Sequence, residues 1–416
     1  MKPVHDGTST GPAVPPDDAA RSGSASVADD AALSGSASVA DDAALSGSAS
    51  VAGRRAHAAP PETGATGPDG SASQPSLELS RHTTLGLGGP ATRLVTATRQ
   101  HELVEMVSAT PGDVFLLAGG SNVVIGDGGV DATVVLIRTA GIAVTPDDGR
   151  ALVTVEAGHS WDDVVAFCVA EGLSGIECLS GVPGSAGATP IQNVGAYGQE
   201  VAETIQTVRV LDRTRDTVVD MPAADCGFAY RTSIFKGSDR YVVLSATFAL
   251  ERSPRSTPVR YSELARALGV EPGTRVPLPD ARQAVLALRA GKGMVLDPAD
   301  PDTRSVGSFF TNPVLTTEAF DALVDRAGTP PPHWPGPDGS VKISAAWLIE
   351  HAGFGKGYAG DHPGVGVSTK HTLALTNRGA GSTTALLGLA REIRDGVVKA
   401  FDVRLYPEPV LVACSL

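Results

Sequence analysis

One stretch limits the fold of this chain more than any other feature: Gly175-Ile-Glu-Cys-Leu-Ser-Gly-Val-Pro-Gly-Ser-Ala-Gly-Ala-Thr-Pro-Ile-Gln-Asn-Val-Gly-Ala-Tyr-Gly198. It holds six glycines in 24 residues and a single charge, Glu177. A Gly-rich linker is ordinarily polar, but this one is interleaved with Ile, Leu, Val and Tyr. Such a segment reads as backbone packed close to a flat, largely apolar ligand such as an aromatic ring system. Gly181, Pro183, Gly184, Gly187, Asn193, Gly195 and Gly198 are its candidate cofactor contacts.

A second segment, Leu117-Ala-Gly-Gly-Ser-Asn-Val-Val-Ile125, follows an expected strand at Val114–Ala118. Gly119 and Gly120 permit a tight turn. Successive N–H groups, the Ser121 hydroxyl and the Asn122 amide make an anion cradle suited to a diphosphate. No helix starts here, so this is not the GxGxxG dinucleotide motif, and no Gly-Lys-Ser/Thr follows, so it is not a P-loop. Taken alone, the segment fits an ordinary β-turn equally well.

Around these segments the chain divides into three parts. Residues 1–76 repeat the unit SGSASVADDAAL at Ser22–Leu33 and Ser34–Leu45, with a partial copy at Ser46–Ala52. The unit lacks large apolar residues, so stacking it buries too little to offset chain entropy. It reads as a disordered low-complexity tail that activity does not need. Residues 77–254 read as short β-branched runs with few helices. Further strands are expected at Val134–Ile137, Leu152–Ala157, Thr207–Leu211 and Tyr241–Ala249, and helices at Gln100–Ser108 and Trp161–Glu171. Ser160 is the expected N-cap of the second helix, with Asp162 and Asp163 in its first turn. From about residue 255 helices dominate: Tyr261–Leu268, Asp280–Ala290, Thr317–Ala327, Ala345–Ala352 and Thr383–Phe401. The last carries an apolar stripe of Leu386, Leu387, Leu389, Ile393, Val397 and Val398. Strands are expected at Thr372–Thr376, Arg404–Leu405 and Val410–Ala413. The change in texture marks a second, α+β domain over 255–416.

The net charge is −13. Residues 1–75 hold nine Asp/Glu and four Lys/Arg, or −5, so the remainder at −8 is still acidic. This argues against a nucleic-acid or membrane-surface binder. Cys168, Cys178, Cys226 and Cys414 show no CxxC spacing and read as reduced thiols, with neither a metal site nor a disulfide framework. No apolar run approaches a bilayer span and Met1–Pro16 lacks a secretory apolar core, so a cytoplasmic protein is expected.

The two Gly-rich segments together resemble the FAD-binding domain of the UDP-N-acetylenolpyruvoylglucosamine reductase family. Further similarity lies in Thr83–Ala91, Tyr230–Lys236, Gly307–Pro313, Lys342–Ile349, Lys370–Leu373 and Pro407-Glu408, in order across residues 80–416. The resemblance implies an α+β fold, with a vanillyl-alcohol-oxidase-like two-part FAD-binding domain followed by a smaller α+β substrate-binding domain. It implies FAD and NADPH as cofactors and UDP-N-acetylglucosamine enolpyruvate as the small-molecule substrate, with a monomer expected.

Reducing an enol ether conjugated to a carboxylate needs a hydride, stabilisation of the enolate, a proton and a grip on the diphosphate. Arg231 suits the second task, because a guanidinium holds a carboxylate or enolate with two parallel bonds. The resemblance places Arg231 at the catalytic arginine, Ser308 at the proton donor and Glu408 at the third catalytic position. Pro409 stands where the family carries Val. Tyr230, Asn312, Lys292 and Tyr261 are the implied substrate contacts, Tyr261 on the closing loop of the family's longer branch. Two alternatives stay open on the flavin segments alone: another FAD oxidase or dehydrogenase, and an inactive flavin or nucleotide binder.

Overall fold

Two larger sheets and a C-terminal unit of helices and short strands build the computed structural model, which describes residues 77–110, 113–336 and 339–416. The reading of residues 1–76 as a tail lies outside the described residues. Strands Ala91–Ala97, Val130–Ile137 and Val114–Leu117 form a parallel sheet with Val130–Ile137 in the middle. A parallel sheet needs cover on both faces, and Val134–Ile137 is accordingly an unbroken buried run. Helix Gln100–Ala109 covers one face through Leu103 and Val107.

The second sheet is antiparallel. Its order is Thr217–Pro222, Ile205–Asp212, Tyr241–Arg252, Arg150–Glu156, Ile142–Asp147, with Leu173–Ser174 paired to the end of the central strand. Trp161, Val164, Val165 and Cys168 of helix Trp161–Ala170 pack into its core. Val135 and Ile137 of the first sheet meet Leu211, Val242 and Leu244 of the second in one cluster that joins the two.

Helix Trp161–Ala170 is stapled differently from the sequence expectation. Ser160 occupies the N-cap position, but its side chain makes no capping hydrogen bond. The Trp161 amide donates to the Gly184 carbonyl at 3.0 Å. Asp162 accepts from the Gly181 amide at 2.6 Å and takes a two-pronged grip from Arg282 at 2.6 and 2.8 Å. Burial penalises the Asp162 charge, yet the Arg282 and Gly181 bonds outweigh it and hold the carboxyl below its ordinary pKa. The start of the helix is thereby tied to the Gly-rich segment.

The C-terminal unit has its own core around helix Thr383–Phe401. Leu386, Leu387, Leu389, Ile393 and Val397 are buried, each worth ~1.5–3 kcal/mol of transfer free energy. Val398, expected in the same stripe, is 38% exposed and faces solvent. One residue beyond Val397 turns it about 100° around the helix, off the buried face. Ser382 caps this helix through the Ala385 amide, and the Asp127 carboxylate accepts from the amides of Thr383 and Thr384 at 2.7 and 2.9 Å. Strand Val410–Val412 returns to pair in parallel with Val123–Ile125. Arg404–Leu405 belongs to no strand, and the pairing expected at Thr372–Thr376 falls at Leu375–Asn377. Leu405 is buried in the helix core, which orders this segment without a ladder partner.

Cys168, Cys178 and Cys226 are buried and all four thiols are free. Desolvation pushes Cys168 to about 12 and Cys226 to about 11, and drives Cys178 well above its ordinary value. These thiols are poor nucleophiles near neutrality. No helix among the described residues is long and apolar enough to cross a membrane.

Candidate active site

The Gly119–Asn122 loop and the Gly-rich segment face each other across a cavity of about 440 Å³. Close backbone contacts within and around these loops explain several glycines. A Cβ on Gly119 would stand 2.5 Å from the Gly184 Cα, and one on Gly187 would stand 2.5 Å from the Ala157 Cβ. Gly120, at φ 61°, would place a Cβ 2.0 Å from the His82 carbonyl oxygen. Side chains complete the join. Ser121 Oγ donates to the Pro183 carbonyl at 3.0 Å, and Asn122 Nδ2 donates to Gln192 Oε1 at 2.7 Å. Both groups, read from sequence as anion donors, are thus engaged in holding the two loops together.

Gly119, Gly120, Ser121, Asn122, Pro183, Gly187 and Gly195 line the cavity. Gly181, Gly184, Asn193 and Gly198 stand behind the lining. Gly181 passes under Leu286, whose Cδ2 a Cβ would meet at 2.8 Å, and Gly198 runs against Arg260. Asn193, in the left-handed region at φ 44°, ties its segment together through Glu200 at 2.7 Å, the Ala229 carbonyl and the Ala202 amide.

Arg231, Ser308 and Glu408 lie on this cavity wall, brought there from three separate stretches. Arg231 sits on a tight turn closed by reciprocal hydrogen bonds between Ala229 and Thr232, at φ 52°. A left-handed bulky residue is a local strain that its surroundings must enforce. Lys236 does so in part, donating from Nζ to the Arg231 carbonyl at 2.9 Å. The guanidinium donates from Nη2 to the Gly195 carbonyl at 2.9 Å and lies 3.6 Å from Glu408 and 3.8 Å from Glu200. With its side chain 15% exposed and Glu408 at 16%, the pair works in a partly desolvated setting where charge counts for more than in water.

Ser308 and Glu408 are placed by backbone bonds. The Phe309 amide donates to Leu373 at 2.7 Å, and the Phe309 carbonyl accepts from the Glu408 amide at 2.9 Å. Val410 then donates to the Asn122 carbonyl at 3.0 Å, so the strand carrying Glu408 is hung on the Gly119–Asn122 loop.

The implied substrate contacts lie outside the cavity lining. Tyr230 is partly exposed and faces Lys342, whose Nζ stands 4.5 Å above its ring. Tyr261 is buried edge-on against Tyr197 at 5.5 Å. Lys292 pairs with Glu263 at 2.8 Å, and Asn312 accepts from the Ala345 amide at 2.9 Å. Conversely, the cavity carries cations the sequence reading passed over: Lys236 and Arg289. Arg289 is buried and donates to the Met294 carbonyl at 3.0 Å. Lys236 closes the Tyr230–Lys236 motif without having been singled out, and Arg289 is marked only by its place at the end of an amphipathic helix.

Chemically the walls suit a flavin dinucleotide. Leu116, Ile137, Val182, Ile191 and Met294 offer apolar surface, while Ser121, Asn122, Lys236 and Arg289 gather polar and cationic groups. Comparison with known proteins agrees. Residues 92–221 match the FAD binding domain, and residues 298–412 match the C-terminal domain of UDP-N-acetylenolpyruvoylglucosamine reductase. A protein of that name from Salinispora arenicola is 62% identical over 346 residues, 81% of this chain and 95% of the relative. The chain belongs to the UDP-N-acetylenolpyruvoylglucosamine reductase family. Another relative of that name, from Thermobifida fusca, is 55% identical over 82% of this chain and 98% of its own length. The crystal structure of a UDP-N-acetylenolpyruvylglucosamine reductase from Thermus caldophilus superposes with a TM-score of 0.56 at 23% identity, covering 81% of this chain and 98% of that one. The reductase family and the α+β flavoprotein fold expected from the sequence are both borne out, and FAD is the cofactor of this fold.

Proposed function

We propose that this chain catalyses the NADPH-dependent reduction of UDP-N-acetylglucosamine enolpyruvate to UDP-N-acetylmuramate on bound FAD, a step of peptidoglycan precursor synthesis. The observation that carries it is the convergence of Arg231, Ser308 and Glu408 on the cavity walled by Gly119–Asn122 and the Gly-rich segment. When bound and reduced, FAD supplies a hydride to the terminal carbon of the enolpyruvyl group. Arg231 grips the carboxylate and stabilises the charge that gathers on it as the enolate forms. Ser308 delivers a proton to the carbon bearing the carboxylate. A hydroxyl is a weak acid, so the transfer depends on the strong basicity of the enolate. Glu408 orients the Arg231 guanidinium from 3.6 Å and lies on the same wall as Ser308. The hydride and the proton together saturate the double bond, so the step balances.

Gly119–Asn122, Pro183, Gly187 and Gly195 are assigned to direct flavin contact, with Gly181, Gly184, Asn193 and Gly198 shaping their backbone. Tyr230, Tyr261, Lys292 and Asn312 are assigned to the sugar nucleotide. For Tyr261 and Lys292 this requires the segment to open, releasing the Tyr197 and Glu263 contacts. We assign residues 77–254 to the flavin domain and 255–416 to the substrate domain, in a monomer of the cytoplasm.

Colour tests the assignment. Purified protein is expected to be yellow, to bleach anaerobically with NADPH, and to recover its colour on adding the enolpyruvyl substrate. Protein that stays colourless after FAD reconstitution refutes it. Recovery only with oxygen points to an oxidase instead.

A further inference from the structure

Behind the wall that carries Ser308 and Glu408 lies a turn, residues 368–374, buried except at Thr369 and Lys370, in which the mechanism above uses no side chain. Its centre is His371, 8% exposed. The Leu373 amide donates to His371 Nδ1 at 3.1 Å. An amide N–H can only donate, so Nδ1 is the acceptor and the ring proton of the neutral imidazole lies on Nε2. The Ala374 amide donates to the His371 carbonyl at 3.1 Å, and the His371 amide donates to Ser368 Oγ at 3.2 Å. The imidazole thus fixes the backbone direction at 373–374.

That backbone is what Ser308 rests on. Ser308 bridges Ala374, and the Phe309 amide donates to the Leu373 carbonyl at 2.7 Å. On its other side the Phe309 carbonyl accepts from Glu408 at 2.9 Å. One residue, Phe309, fully buried, therefore connects the turn to both Ser308 and Glu408. Outer contacts hold the turn itself: the Thr369 amide donates to Asp302 at 3.0 Å, Lys370 pairs with Asp300, and Thr372 donates to Glu350.

We propose that His371 is a positioning residue for Ser308 and Glu408, acting through Nδ1 as the acceptor for the Leu373 amide. This rests on the assignment of Ser308 as proton donor. Without the acceptor, a buried amide loses its partner and the 373–374 backbone is released. Ser308 and Glu408 then lose their register against the substrate, and a displacement near 1 Å costs on the order of 10²-fold in rate.

The test uses FAD-loaded protein. In anaerobic single turnover, reduced His371→Ala reoxidises on the enolpyruvyl substrate ~10–100-fold slower than the parent. Its reduction by NADPH and its substrate KM stay within ~3-fold of the parent. Independently of activity, amide hydrogen exchange at Phe309 and Leu373 accelerates. His371→Asn places an oxygen where Nδ1 stands and restores both readouts. His371→Gln places its amide one bond further out and restores neither. Should His371→Ala not fold, the Asn and Gln variants decide: a ~10-fold or greater advantage for Asn supports the proposal. Equal rates and equal exchange for Asn and Gln overturn it, as does parental reoxidation of His371→Ala alongside a slow Ser308→Ala. Parental reoxidation of Ser308→Ala refutes the proton-donor assignment itself.

Discussion

Arg231 and Ser308 face the same cavity but are built in opposite ways. Arg231 occupies a strained corner, left-handed at φ 52°, pinned by side chains: Lys236 on its carbonyl, Glu408 and Glu200 beside its guanidinium. Ser308 sits in extended backbone bridged to Ala374 and braced through the main chain of Phe309, which bonds to Leu373 and Glu408. In the proposed mechanism, a charge that must meet a developing charge is held by neighbours that tune both place and field. A neutral hydroxyl needs only place, and main-chain bonds supply that. Substitutions should therefore act locally around Arg231 and at a distance around Ser308.

Arg231→Lys is expected to cut kcat by ~10²–10³, since an ammonium keeps the charge but not the fork. Steady-state kinetics check this, and a loss below ~5-fold would deny that paired bonding matters. Gly119→Ala must push the Gly184 backbone away, an overpacking cost of ~1–3 kcal/mol. It should weaken FAD retention by ~10–10²-fold in equilibrium titration, with any bound fraction reacting normally. Lys236→Met removes the ammonium from the Arg231 carbonyl and should slow substrate reduction by about tenfold, less than loss of the fork itself. The smallest effect concerns acid stability rather than turnover. Arg240 holds the Asp212 carboxyl at about 2. A depressed folded pKa means that this stability is present above the unfolded value of ~3.9 and is lost as pH falls toward about 2. Asp212→Asn should flatten acid unfolding in that window, and unfolding midpoints measured from pH 5 to 2 check it.

Legibility followed the same division. The glycines that let two loops approach, and the strand and helix periods, were plain in the sequence because backbone geometry demands particular residues there. Arg231 and Ser308 could be named, and the structure puts them on one wall. What brings them together was hidden: the parallel pairing of Val410–Val412 with Val123–Ile125 and the Phe309 link are main-chain contacts between distant segments, for which no residue type is required. Lys236, Arg289 and His371 were missed for a related reason, since each acts on a carbonyl or amide that any residue supplies. Ser160 stands at the N-cap as expected but makes no capping hydrogen bond, and the tie of Asp162 to the Gly181 amide had no signal in the sequence.

In the proposed mechanism Ser308 delivers the proton in a step separate from flavin reduction. Ser308→Ala, studied by anaerobic stopped-flow in both half-reactions, tests it directly. Reduction by NADPH should run at the parental rate, while reoxidation by the enolpyruvyl substrate slows by ~10²–10⁴, as for a lost general acid. Equal slowing of both halves, or none of either, would rule out Ser308 as the proton donor.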